Sequence, residues 1–374
     1  MRWRPWRIPF RDQFLTGVDT YRSREGIIVE FRDKDGRTGI GEASPLPGYA
    51  GGSIGAVETA LSAVAEKLVG LAPDEAVTAG LTPSTDRWSS AATRCGVESA
   101  VTDLGGRQRG IPASSWLTGL AGVAGPRACT SLAVNGIIDA GKADAAAAQA
   151  SELILSGFGT LKLKVGGRPD DDIERIMAVR GAVGDHVELR IDANGGWDGR
   201  AARQVLDAAE RYGVALCEQP LSPDAPEVLG KTAALRRETN IAVALDESCR
   251  SVEDIEAVTG AKAADAIVLK PMMTGLVEAA RMLSAACAAG LDVIVTTSFD
   301  SSVGTAAAAQ LSSLIPEPRM ACGLATVPLL SGDLVEQPME IENGCLQVGD
   351  EPGLGVRLSE RALAEWATAP WSTR

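Results

Sequence analysis

The sequence predicts an α/β chain: a (β/α) barrel of the TIM type with an N-terminal α+β capping domain that the C-terminal tail completes. Three observations carry this. Beyond residue 126, short β-branched apolar runs alternate with Ala-rich amphipathic stretches, the pattern of parallel βαβ units. The runs span residues 128–136, 159–166, 187–196, 214–221, 242–249, 266–273, 292–299 and 320–326, and eight is the number a closed barrel needs. The 374 residues, 45% hydrophobic, also exceed the roughly 250 of a bare barrel by enough for another domain.

Before the barrel, residues 26–42 read as a β-hairpin turning at Asp33-Lys34-Asp35-Gly36, and residues 44–52 as a Pro/Gly loop. Residues 53–69 read as a helix with Ser53 as N-cap. Strands followed by helices suggest an α+β unit over 1–126, a barrel over 127–331 and a tail over 332–374. The tail carries an apolar 344–348 stretch and a helix-like 359–367 stretch outside the eightfold alternation, and is expected to pack on the capping domain. Arg2, Arg4 and Arg7 suit a solvated strand flank, and residues 9–18 a loop shaping the barrel mouth.

The net charge of −13, from 36 Lys and Arg against 49 Asp and Glu, makes nucleic acid and membranes poor partners. A small carboxylate substrate stays compatible, because a cation and lysines inside a cleft override net charge locally. Seven cysteines without C-x-x-C spacing fit a reduced cytoplasm, and no apolar run of signal or membrane-helix length follows the basic start. Oligomeric state is not legible.

Six successive runs end in a polar residue that is costly in a strand: Lys164, Asp192, Glu218, Asp246, Lys270 and Ser298. Their separations of 28, 26, 28, 24 and 28 residues each match one βα unit, so they recur at one level, the C-terminal rim where barrel enzymes keep their chemistry. Singly, each reads as a turn or cap residue; together they read as a site. Asp192, Glu218 and Asp246 on one rim repel one another unless a cation sits among them, and a hard ion, Mg²⁺ or Mn²⁺, suits oxygen ligands. Zinc does not fit: the only histidine, His186, sits in a loop before a strand, and the cysteines are not grouped. Lys162 and Lys164 alternate with leucines, which turns both into the barrel. Two ammonium groups beside a cation are expected to depress each other's pKa, fitting a base near neutral pH. Lys270 can approach from the opposite side and stabilise a carbanion formed beside a carboxylate.

These motifs resemble the enolase superfamily, in its muconate lactonising enzyme subgroup, over the whole chain. Lys-x-Lys at Lys162 and Lys164 is similar to the subgroup's second-strand motif, Asp192, Glu218 and Asp246 to its metal ligands, and Lys270 to its sixth-strand lysine. The superfamily's lysine base and Mg²⁺-stabilised enediolate are a general pattern. Segments 190–194, 297–304 and 321–326 are most similar to the o-succinylbenzoate synthase family, the dehydratases of menaquinone biosynthesis. That resemblance implies that Lys164 removes the α proton and returns it to the departing hydroxyl, while Lys270 stabilises the intermediate as a cation. It places Ser298, Ser302, Gly323 and Leu324 near the substrate's carboxylates, with Arg190, Asn194 and Asp300 supporting the ligands from behind. Asp300 stands where the subgroup often has Glu. The same site also suits N-acylamino acid racemisation, dipeptide epimerisation or muconate cycloisomerisation. A Schiff-base aldolase built on Lys270 leaves three carboxylates unexplained, and a non-catalytic binding protein has no need to keep all five charged groups.

Overall fold

The computed structural model describes residues 1–15, 20–46, 52–78, 87–121 and 130–373. The expected 126/127 boundary, most of the loop at 44–52 and the start of the first barrel run lie outside them.

In the capping domain, β1 (Arg2–Leu15), β2 (Thr20–Arg32) and β3 (Thr38–Ala43) form an antiparallel sheet. The hairpin turns where Gly36 adopts a φ of 83°, and Asp33 accepts from the Asp35 and Arg37 amides. Residues 9–15, expected in a loop, continue β1: Phe14 and Leu15 pair with Tyr21 and Thr20 after a register shift past Pro9. Along β1, Trp3, Trp6 and Ile8 are buried, while Arg2 pairs with Glu30 and Glu360 and Arg7 with Glu25, as a half-exposed strand requires. Four helices follow: α1 (Ile54–Leu68), capped by Ser53, α2 (Pro73–Thr78), α3 (Arg87–Arg109) and α4 (Ala113–Ala121). Gly39 and Gly41 allow β3 to lie on α3, since a Cβ at either would stand under 2.5 Å from the α3 backbone.

The barrel follows from β4 (Ser131–Ala133) and β5 (Gly136–Ile138), through α5 (Ala143–Leu155), β6 (Thr160–Lys164), α6 (Pro169–Val183), β7 (Glu188–Asp192), α7 (Gly199–Ala209), β8 (Val214–Glu218), α8 (Val228–Glu238), β9 (Ala242–Leu245) and α9 (Val252–Ala261). It continues through β10 (Ala266–Leu269), α10 (Pro271–Thr274), α11 (Leu276–Ala288), β11 (Asp292–Val295) and α12 (Ser302–Ser312). Seven strands, β5 to β11, pair in parallel in chain order. The eighth run closes the ring only through isolated parallel bridges, Val134 with Cys322 and Thr296 with Gly323.

Strand alternation sorts the core. Leu161, Leu163, Leu189 and Ile191 pack outward against the helices, while Leu216, Ala244, Ala266, Val268 and Ile294 form a small apolar plug. The next inward positions along these strands are Glu218, Asp246, Lys270 and Thr296, so the plug is a dry floor under a polar layer.

The tail divides. β12 (Ile341–Glu342) pairs with β13 (Cys345–Gln347), which pairs in turn with β4. Past α13 (Glu360–Trp366), β14 (Ser372–Thr373) joins the capping sheet beside β1.

Two buried side chains fasten the capping domain to the barrel. Glu42 on β3 is fully buried and accepts from Ser44 Oγ, from the Ser301 amide and hydroxyl, and from the Gly304 amide at the start of α12. A carboxylate at a helix N-terminus meets unsatisfied N–H groups and the positive end of the dipole. Arg24 on β2, 1% exposed, donates to the carbonyls of Ser298, Pro45 and Ser44. Glu42→Ala should destabilise the chain by about 1–3 kcal/mol for each buried amide donor left without an acceptor. Urea unfolding checks this; a midpoint equal to wild type would show that Glu42 holds nothing.

Candidate active site

The polar layer divides into an acidic side and a neutral side. On the acidic side, Asp192, Glu218 and Asp246, each at most 1% exposed, follow one another at the ends of β7, β8 and β9. Three lysines reach into them. Lys162 Nζ lies 3.2 Å from Asp192 Oδ2 and 3.2 Å from Glu218 Oε2; Lys164 Nζ donates to Asp192 Oδ2 at 2.7 Å and to Asn194 Oδ1 at 3.0 Å; Lys270 Nζ bonds Asp246 Oδ2.

Two of the lysines are held as ammonium groups by the carboxylates around them. Burial opposes the charge on Lys162, but Glu218, Asp192 and Asp246 outweigh it and raise its pKa; at Lys270 burial is outweighed in the same way, chiefly by Asp246. Burial likewise opposes the charge on Asp192, yet Lys164 and Lys162 hold it below the usual range. Glu218 goes the other way: burial, then Asp192, push it up to about 7.

Among the described residues, no three His, Cys, Asp or Glu side chains stand in an arrangement that holds a metal, because the ammonium groups occupy the ground between the carboxylates. The donor chemistry nonetheless fits a hard cation: three oxygen-bearing side chains on adjacent strands, with Asp246 Oδ1 buried and accepting no hydrogen bond.

The neutral side belongs to β10, β11, the closing run, β5 and β6. A cavity of about 50 Å³ lies here, lined among others by Leu46, Ile137, Lys164, Lys270, Thr296, Ser298, Phe299 and Gly323. Ligand pockets usually enclose ~300–1,000 Å³; this one is smaller. Phe299, in the left-handed region at φ 61°, turns its ring edge-on to Phe10 at 5.5 Å and stands 6.2 Å from Tyr21, both on the capping sheet.

Other expected positions fall differently. Ser298 and Gly323 line the cavity, but Ser302 does not: its hydroxyl accepts from the Met339 amide and its own amide donates to Asp333. Leu324 is buried in the core and does not line it either. Arg190 does not pair with Asp192, two residues on. Its guanidinium turns to Glu188 and the Ala321 carbonyl, on the far side of Lys162's layer. Asp300 is buried with Oδ1 unbonded, 3.9 Å from Arg24, and burial and Glu42 push it up to about 7.

Asn194 stands closest to its expectation. At φ 44° its amide donates to Asp192 Oδ1 and its side chain bridges Lys164 to Glu247 Oε1 at 3.1 Å. Sequence reading passed over Gln219, at φ 38°, whose Oε1 receives the Asp246 and Ser248 amides. It also passed over Glu247 and Thr296. Gln219 and Glu247 each directly follow a rim carboxylate, a signal that was available.

Residues 145–362 match the enolase C-terminal domain-like family. The chain belongs to that family, within the muconate lactonising subgroup of the enolase superfamily. It is 38% identical over 224 residues to the o-succinylbenzoate synthase of Thermobifida fusca, covering 59% of this chain and 67% of that one. It is 28% identical over 358 residues to muconate cycloisomerase 1 of Pseudomonas putida, covering 94% and 92%. The dipeptide epimerase of Enterococcus faecalis, solved with Mg and L-Leu-L-Tyr, superposes with a TM-score of 0.85 at 24% identity over 95% and 98% of the two chains.

If Lys162 is the counter-charge of two buried carboxylates, Lys162→Met should cost about 3–5 kcal/mol near neutral pH. The unfolded chains titrate alike, and Lys162 lowers the Glu218 pKa, so the variant's Glu218 takes its proton at higher pH than the about 7 of the wild type, and the deficit should shrink as pH falls toward about 7 from the alkaline side. Denaturant unfolding at several pH values checks this. A deficit independent of pH would show that Lys162 matters for packing and not for charge.

Proposed function

We propose that this chain is a divalent-metal-dependent carbon–oxygen lyase. It removes water from a succinyl-substituted hydroxycyclohexadiene carboxylate to give o-succinylbenzoate, a step of menaquinone biosynthesis. The observation that carries it is the pairing of two opposed lysines, Lys164 from β6 and Lys270 at the end of β10, on one cavity beside three carboxylates. Identity of 38% to the T. fusca dehydratase supports this reaction in particular.

Asp192, Glu218 and Asp246 would hold the ion, Mg²⁺ or Mn²⁺, which supplies positive charge facing the substrate carboxylate. The E. faecalis relative's Mg supports that choice. Lys164 Nζ takes the α proton, leaving an enediolate whose new charge Lys270 stabilises as an ammonium. Asn194, held by Glu247, keeps Lys164 on that line. The C–O bond then breaks, Lys164 gives its proton to the departing hydroxyl, and water leaves as the ring becomes aromatic. Six described cysteines carry free thiols, which supports a cytoplasmic setting.

A second reading is racemisation, epimerisation or cycloisomerisation. Two opposed bases suit handling both faces of a carbon, and the relatives aligned over more than nine-tenths of the chain include cycloisomerases and epimerases at 26–28% identity. With Mg²⁺, the diene should lose its ultraviolet absorption and yield a product lighter by one water. Should the diene persist while an N-acylamino acid or dipeptide takes up deuterium at its α carbon in heavy water, the second reading replaces the first.

Excess chelator should abolish turnover, and Mg²⁺ or Mn²⁺ should restore it. Lys164→Ala should lower kcat by at least ~10²–10⁴, the usual contribution of a general base, with Lys270→Ala similarly severe. Wild-type kcat in Lys164→Ala would show that another group takes the proton.

A further inference from the structure

Each strand from β5 to β11 is followed by a helix, but the closing run is followed only by one 3-10 turn, Val327–Leu329. The seam between that run and β5 is covered instead by residues 332–342 of the tail. An extended segment fills less of the outer layer than a helix about 10–12 Å across. A cavity of about 670 Å³ remains between tail and seam, within the ~300–1,000 Å³ of ligand sites. Its body is apolar: Ile137, Leu153, Phe158, Leu329 and Ile341 line it, and the chain itself buries them only in part. Ile137 also lines the catalytic cavity, so β5 is a wall of both.

The charges around this cavity are unbalanced. Asp333, Glu340 and Glu342 line it against one guanidinium, that of Arg11, whose Nε already donates to the Pro328 and Leu330 carbonyls at 3.0 Å. Glu340 and Glu342 are exposed, whereas Asp333 is built into the wall. Its Oδ1 accepts from the Ser302 amide at 2.9 Å and from the Leu334 amide at 2.8 Å, which pins the tail to the start of α12. Its Oδ2 is buried and accepts no hydrogen bond among the described residues. A buried carboxylate oxygen left without a donor is costly, and beside an apolar cavity it calls for a positively charged donor on the occupant.

We infer that this cavity is a second, non-catalytic binding site for an organic ammonium ion with an apolar body, whose head donates to Asp333 Oδ2 while its chain lies against Ile137, Leu153 and Phe158. Three carboxylates against one guanidinium favour a cation over an acid of the same shape. The site takes the opposite charge class from the carboxylate substrate proposed for the catalytic cavity, and it does not rest on that proposal.

Calorimetry on the full chain in Mg²⁺, with butylamine, hexylamine, 1-hexanol and hexanoate as probes, reads the apolar and the charged half of the site separately. Each methylene taken from water is worth about a factor of four, so hexylammonium should bind about tenfold tighter than butylammonium. Losing a hydrogen bond to a charged group costs about tenfold or more, so hexanol should bind that much more weakly than hexylammonium, and hexanoate more weakly still. Asp333→Asn keeps an acceptor for the Ser302 and Leu334 amides and removes the charge. It should weaken hexylammonium about tenfold or more and leave hexanol unchanged. Asp246→Asn, in the catalytic site, should leave the amine's affinity unchanged. Should Asp333→Asn fail to fold, the exposed pair Glu340→Gln and Glu342→Gln, made together, should weaken hexylammonium about twofold or more at low salt. Equal affinity of wild type and Asp333→Asn for hexylammonium would overturn the inference. A preference for hexanoate, a loss of amine binding in Asp246→Asn alone, or no uptake of hexylammonium by wild type at about 10 mM would do the same.

Discussion

Three carboxylates buried at the ends of adjacent strands cannot all stay ionised without positive charge among them. This constraint organises the centre of the molecule. Lys162 is long enough to rise from a deeper layer and meet both Asp192 and Glu218, while Lys164 and Lys270 arrive from the flanks. The result is an alternating lattice of charge on a dry floor, where every unit charge counts because the surroundings screen it weakly. Glu218, pushed up to about 7, shows where positive charge is still short.

A second constraint is that the cavity has no roof of its own. The capping domain supplies it, and the joint is polar: Glu42 caps α12, Arg24 grips the Ser298 carbonyl, and Phe10 and Tyr21 brace Phe299. The segment 298–304 is thus defined from both sides, by β11 beneath and by the capping sheet above. Asp300 stands 3.9 Å from Arg24.

Much of this was legible in the chain. A period-two alternation of Leu and Lys in residues 161–164 placed both lysines inside, and one charged residue per βα unit placed the rim. Contacts that depend on side-chain direction were not legible. Ser302 lies within a motif that looks like substrate-binding sequence, yet helix geometry turns its hydroxyl to Met339. Arg190 shares the inward face with Asp192, but its length carries the guanidinium away to Glu188 and the Ala321 carbonyl. Residues 9–18 read as a loop, whereas a register shift past Pro9 lets the strand run on to Leu15.

The closing seam bears on how such a molecule changes over generations. Its last strand is joined by isolated bridges instead of a full ladder, and that wall, with β11 and β5, lines the cavity. Substitutions there disturb few main-chain bonds, while the charged arc on β6 to β9 is locked by mutual electrostatics. The cavity lining is free to drift on one side of the barrel while the charged arc is inherited intact on the other, an arrangement that lets members of one lineage share a fold and differ in what their cavities accept.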